Sequence, residues 1–89
     1  MKLEIESRIN LLAPVLRGLT RDRSTAFKAY TEAMAAREEG LARKAAWPSE
    51  FDVADGYHLN LATSTASRYL ALVAELDDRI ENLLKEYRA

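Results

Sequence analysis

The chain has 89 residues and a formal net charge of −1, with a single histidine and no cysteine. A domain this short buries a smaller share of its surface than a typical domain, so its core needs support from disulfides, a metal ion or oligomerisation. The lack of cysteine excludes disulfides and thiolate zinc sites, and one histidine excludes a histidine-rich metal site, so we expect oligomerisation and no cofactor.

The N-terminal sequence is MKLEIESRINLL, in which Glu4, Glu6 and Arg8 interrupt the apolar residues. A signal peptide needs an uninterrupted apolar core, and a membrane-spanning helix needs about 18 apolar residues in a row. We therefore expect a soluble protein without membrane contact. The absence of cysteine fits the reducing cytoplasm, where we expect the protein to be located.

The first predicted helix begins near residue 2, where apolar residues recur at alternating intervals of four and three. This stripe consists of Ile5, Ile9, Leu12, Leu16 and Leu19. Pro14 lacks an N–H group and its ring opposes the carbonyl four residues before it, and Gly18 weakens the next turn. The sequence therefore predicts a kink or a break within residues 13–24 of an arm that covers residues 2–46.

The second half of this arm, from residue 24 to residue 46, is rich in alanine and in long charged side chains, which favour helix. Its apolar face is expected to contain Ala26 or Phe27, Tyr30, Met34 and Leu41. Pro48 cannot continue the helix and disfavours helical conformation at Trp47, so we expect a turn at residues 47–49. Ser49 is a suitable N-cap for the next helix.

The second arm is predicted over residues 50–88, or from Asp55 if Gly56 interrupts it. Its stripe keeps the intervals of four and three over Ala62, Ala66, Tyr69, Val73, Leu76, Ile80, Leu83 and Tyr87. A stripe this regular requires another helix along its whole length. Folding the chain at Pro48 pairs residues whose numbers add up to about 96, and this register places large side chains opposite small ones.

Charge also favours two arms that lie side by side. Residues 1–46 contain nine Lys and Arg against six Asp and Glu, whereas residues 47–89 contain four against eight. The basic half and the acidic half therefore attract each other. The sequence predicts an all-α protein with a single domain over residues 1–89, folded as a long antiparallel helical hairpin that resembles a coiled coil.

Two helices alone leave apolar residues uncovered beside the main stripes, namely Leu11, Val15, Leu61, Leu72 and Leu84. Burying each large aliphatic side chain contributes about 1.5–3 kcal/mol, against a total stability of about 5–15 kcal/mol. We therefore expect a homodimer in which two hairpins form a four-helix bundle, with these residues at the dimer seam. The alternative is a three-helix bundle in which residues 2–13 fold back as a separate helix.

Few residues suggest a catalytic or metal-binding site. His58 lies three residues after Asp55, which would suit a carboxylate-oriented general base, but no serine or cysteine nucleophile is fixed beside it, so a structural histidine is favoured. Several carboxylates cluster in sequence without the Glu-x-x-His spacing of metal-binding bundles, so we interpret them as solvated helix faces. These are Glu38, Glu39, Glu75, Asp77, Asp78 and Glu81. We expect no catalytic, metal or cofactor site.

The densest basic segment contains Arg17, Arg21 and Arg23. Three arginines within seven residues suit phosphate contacts, and a helical dimer that binds RNA or DNA is one functional hypothesis. Asp22 lies inside the segment, however, and no known nucleic-acid-binding signature is present. Ion pairs with the acidic second arm explain these arginines more simply.

The turn region holds the aromatic residues that a binding site favours, which are Trp47, Phe51 and Tyr57. They either close the end of the bundle as a plug or anchor a protein partner. We therefore expect a non-catalytic protein-interaction module, such as a small adaptor, regulator or inhibitor, that pairs with itself and with another protein. A subunit of a larger structural assembly is the third hypothesis.

Overall fold

The computed structural model describes residues 2–88, and within them the side chains of residues 11–86 and 88. Helix α1 covers Lys2–Ala46 and helix α2 covers Val53–Arg88. The two helices pack against each other as a hairpin that measures 70 × 16 × 15 Å. This confirms the predicted all-α hairpin. Because α1 begins at Lys2 without interruption, residues 2–13 extend the first arm and do not form a separate helix.

Helix α1 also passes through Pro14 and Gly18 without ending, so no break occurs within residues 13–24. Proline removes one backbone hydrogen bond from the helix. Leu12 and Leu16 on either side of it are half-buried, and Leu19 packs against the core of the hairpin. Tertiary packing of the apolar stripe therefore holds this segment in helical form.

The contact between the two helices is built on small residues of α1. Ala26 and Ala33 are buried in it. Gly40 follows seven residues later, and a Cβ atom added there would lie only 3.1 Å from Cδ1 of Leu59 on α2. Helix α2 contributes the remaining buried side chains, which are Ala66, Val73 and Leu76. The absence of bulk on α1 lets the backbones of the two helices approach closely.

This core differs from the predicted one in the second half of α1. Of the two alternatives at the start of the face, Ala26 is buried and Phe27 is exposed. Leu41 is also exposed, and Met34 is only half-buried. Each of these larger residues directly follows a small core residue, and one step along a helix turns the side chain about 100° away from the contact.

The second helix begins at Val53 rather than at residue 50 or at Asp55. Asp52 and Asp55 explain the start, because they form a reciprocal pair of hydrogen bonds. The Asp55 N–H donates to Oδ1 of Asp52 at 2.9 Å, and the Asp52 N–H donates to Oδ2 of Asp55 at 3.2 Å. This is a capping box with aspartate at both positions, so Asp52 and not Ser49 is the N-cap.

The longer turn also changes the register. Residues 47–52 connect the helices, so the midpoint lies between residues 49 and 50. Gly40 lies against Leu59 and Arg23 pairs with Asp77, and the numbers in these pairs add up to 99 and 100. The predicted register of 96 is therefore displaced by about one helical turn. Within residues 2–88, neither helix contains a segment long and apolar enough to cross a lipid bilayer.

The two glycines of α1 provide a test of the close helix contact. Gly18→Ala should raise the free energy of unfolding by about 0.5–1 kcal/mol, because alanine favours helix and no atom obstructs its Cβ. Gly40→Ala should raise the free energy of unfolding by less, because its methyl group would contact Leu59. Urea unfolding of both variants measures the difference. Equal stabilisation at the two positions would contradict the close approach at Gly40.

The capping box provides a second test. Asp52→Ala should lower the free energy of unfolding by about 0.5–2 kcal/mol, because the Asp55 N–H loses its acceptor. Ser49→Ala is the matched control and should change stability by less than about 0.5 kcal/mol. Thermal and urea unfolding followed by circular dichroism report both values. A larger loss for Ser49→Ala than for Asp52→Ala would show that the helix starts earlier.

Candidate functional site

The corner of the hairpin is held by contacts that fix the connection from both sides. Arg43 near the end of α1 places Nη1 3.5 Å from Oδ1 of Asp55 in the first turn of α2. Lys44 places its Nζ 5.8 Å from the ring centroid of Phe51. The Glu50 N–H donates to the Trp47 carbonyl at 3.1 Å. These contacts give the corner one defined shape, which fixes where its aromatic side chains emerge.

Trp47 is the largest apolar side chain at this corner, and 58% of its surface is exposed. Together with Phe51, Arg43 and Glu50 it lines a pocket of about 250 Å³. Phe51 is half-buried. The indole therefore does not close the end of this hairpin as a plug would, and it stands beside a small depression with both an apolar wall and charged groups.

The third aromatic residue of the predicted site lies elsewhere. Tyr57 is 65% exposed, and its ring contacts His58 edge-on with 5.8 Å between the centroids. The structure thus brings Trp47 and Phe51 together at one pocket and places Tyr57 in the second turn of α2. Val53, the first residue of that helix, is 90% exposed and was not among the predicted site residues.

The pairing of His58 with Asp55 does not form in the described residues. Asp55 uses Oδ2 to accept the Asp52 N–H and Oδ1 to face Arg43. His58 is exposed and contacts Tyr57. The Asp55 carboxylate thus serves as a helix cap and as a link to α1.

Three of the six carboxylates singled out from the sequence lie in surface ion pairs. Asp77 pairs with Arg23 at 2.8 Å, Glu38 with Arg37 at 3.1 Å and Glu81 with Lys85 at 3.6 Å. Among the residues that the structure describes, no three carboxylates or histidines are grouped closely enough to hold a metal ion.

The three arginines of the basic segment have different surroundings. Arg23 donates to Asp77 and stacks on Phe27, with 5.3 Å from its guanidinium carbon to the ring centroid. Arg17 and Arg21 are exposed and take part in no ion pair between side chains that the structure describes. They border an open depression of about 580 Å³ on the outer surface of α1, together with Leu16, Thr20, Ser24 and Thr25.

The residues of the predicted dimer seam are mainly exposed, but they do not share one surface. Leu11, Val15, Leu61 and Leu72 are exposed, and Leu84 is half-buried. Leu84 follows Asp77 by seven residues and lies on its edge of α2, whereas Leu72 lies on the opposite edge. A single partner helix pair laid on one face of the hairpin cannot cover all five.

A second set of exposed apolar residues was not predicted from the sequence to form a surface. It consists of Phe27, Leu41 and Leu70. The signal was present in the sequence, because Phe27, Met34 and Leu41 repeat every seven residues directly after the small core positions.

No protein-family model, curated protein or solved structure matches this chain. The functional argument therefore depends on the geometry of the chain itself.

Proposed function

We propose that this hairpin is a non-catalytic protein-interaction module of the cytoplasm, a small adaptor, regulator or inhibitor that binds a protein partner at its corner. The observation that carries the proposal is the exposure of Trp47 at a corner of defined shape. Tryptophan and tyrosine dominate the energetics of protein interfaces, and arginine follows them closely. Trp47 and Arg43 line the same pocket, and Val53 and Tyr57 are two further exposed apolar side chains near the start of α2.

The poor core of the isolated chain supports the same proposal. Of the side chains that the structure describes, Val73 and Leu76 are the only buried ones larger than alanine. Burial of apolar surface is the main favourable term in folding, so a chain with this little of it gains stability by contact with other proteins. A regulator or adaptor that works by presenting helix surfaces fits this architecture.

A second candidate function is supported by the two exposed arginines. Arg17 and Arg21 lie without ion partners among the described side chains, with the hydroxyls of Ser24 and Thr25 beside them. This combination suits the phosphate groups of RNA or DNA. We prefer protein binding, because α1 also carries six carboxylates against its nine basic residues.

The first test of the proposal uses Trp47, the only tryptophan of the chain. The fluorescence emission of Trp47 should be red-shifted in the free protein, because its indole is exposed to water. Affinity capture from the native host, followed by quantitative mass spectrometry, should then enrich a partner that Trp47→Ala no longer retains. Loss of an interface tryptophan costs about 2 kcal/mol or more, which weakens binding roughly 30-fold.

The matched control is Leu61→Ala, which removes an apolar side chain of similar exposure away from the corner. This variant should capture the same partner as the wild type. Blue-shifted emission in the free protein, combined with unchanged capture by Trp47→Ala, would contradict an anchor at the corner.

The arginines give a separate prediction, in which fluorescence anisotropy measures binding to labelled single-stranded RNA and duplex DNA of random sequence. Under the preferred proposal, the wild type binds at background level even at low salt. Replacing Arg17, Arg21 and Arg23 with glutamine should lower stability by at most about 1 kcal/mol, because only Arg23 loses an ion pair.

The control for this experiment replaces Arg68, Arg79 and Arg88 of α2 with glutamine, which removes the same charge from the other helix. Wild-type binding that weakens steeply with salt, is lost in the α1 variant and persists in the α2 variant would establish the nucleic-acid function instead.

A further inference from the structure

One face of the hairpin carries an apolar surface that the two helices do not cover. We call it the Phe27 face and define it by Phe27, Met34 and Leu41 of α1 and by Leu70 and Leu84 of α2. The contacts of Arg23 show that these residues lie on the same side, because Arg23 stacks on Phe27 and pairs with Asp77. Leu70 and Leu84 lie seven residues before and after Asp77, which places them on its edge of α2.

Four polar side chains at the edges of the Phe27 face have partners within the chain. Asp77 is paired with Arg23 at 2.8 Å. Thr20 and Thr63 lie on the same two edges, and each hydroxyl donates to the backbone carbonyl four residues before it, at 2.8 Å and 2.9 Å. Covering this face would therefore leave few unsatisfied hydrogen-bonding groups, and such groups are the main cost of burying a surface.

The opposite face of the hairpin is more highly charged. The contact of Arg43 with Asp55, beside His58, identifies its edges. Steps of seven along these edges lead to Asp22 on α1 and to Arg79 and Glu86 on α2. A partner that approached this face would have to remove water from all of these groups, so the Phe27 face is the better surface for an apolar contact.

The exposed area of the chain matches what a permanent dimer buries. The chain exposes 6995 Å², whereas a folded monomer of 10.0 kDa exposes about 5,200 Å². The excess is about 1,800 Å². Permanent homodimers bury about 2,000–5,000 Å² in total, or about 1,000–2,500 Å² from each chain. The excess is therefore large enough for one interface with a second copy.

We propose that a second copy of this chain docks on the Phe27 face, so that two hairpins form a four-helix bundle with both corners at the same end. Two symmetric arrangements stack two hairpins face to face. With corners at the same end, α1 lies on α2 of the other copy, and with corners at opposite ends each helix lies on its own counterpart.

Charge selects between these arrangements. Helix α1 carries nine basic residues against six acidic ones, and α2 carries four against six. Placing each α1 on the other copy's α2 brings opposite net charges together, whereas the alternative stacks like on like. The inference concerns a different surface from the corner of the proposed function, so either can fail without the other.

The decisive variants are Leu70→Asp and Leu72→Asp. These leucines lie two residues apart on opposite edges of α2 and are 52% and 38% exposed. Sedimentation equilibrium should show a wild-type dimer at micromolar concentration. Leu70→Asp should raise the dissociation constant by about 100-fold or more, because it buries an unpaired charge in the interface, while Leu72→Asp should remain dimeric. A monomeric wild type, or dissociation by Leu72→Asp alone, would overturn the proposal.

A second measurement avoids any variant that unfolds. The chain has no cysteine, so Ser49→Cys at the exposed corner accepts a single spin label. Helix axes in a bundle lie about 8–10 Å apart, so corners at the same end place the two labels within about 30 Å. Corners at opposite ends would separate the labels by nearly the 70 Å length of the hairpin. A distance near that length, or no coupling between labels, would refute the arrangement.

Discussion

The close approach of α1 and α2 is the constraint on which the rest of this structure depends. It is possible because Ala26, Ala33 and Gly40 occupy every seventh position of the contact line of α1. Small residues allow two backbones to lie near each other, but they contribute little apolar area to the contact. The larger neighbours of these residues are turned to the edges, where a single pair of helices cannot enclose them. The small residues that allow close packing therefore also leave their larger neighbours on an exposed apolar face.

This arrangement gives the chain an extended shape around a small core. A compact domain of 89 residues would have a radius of gyration of about 12 Å, whereas the hairpin has one of 19.9 Å. An extended shape offers much surface for its mass, and here that surface is apolar on one face, charged on the other and aromatic at the corner.

The sequence predicted the parts of the fold that rest on a strong periodic signal. The stripe from Ala62 to Leu83 predicted α2 and its pairing with α1, because its large residues repeat without interruption. The buried face of the second half of α1 was harder to predict, because alanine and glycine carry little hydrophobic signal. The neighbouring Phe27 and Leu41 are more hydrophobic and were therefore assigned to that face, Phe27 as an alternative to Ala26. The predicted start of α2 differed from Val53 because the capping box uses aspartate at both positions, a weaker signature than serine followed by glutamate. The exposure of Trp47 depends on the six-residue turn and could not be read from composition.

The shape of the hairpin also constrains how it folds. Closing a contact costs chain entropy that grows with the length of the enclosed loop. Arg43 and Asp55 enclose only a short segment, whereas residues near the two chain ends enclose almost the whole sequence. Once the corner has formed, each further turn adds only a few residues to a loop that is already closed. The molecule is therefore expected to zip from the corner towards its ends.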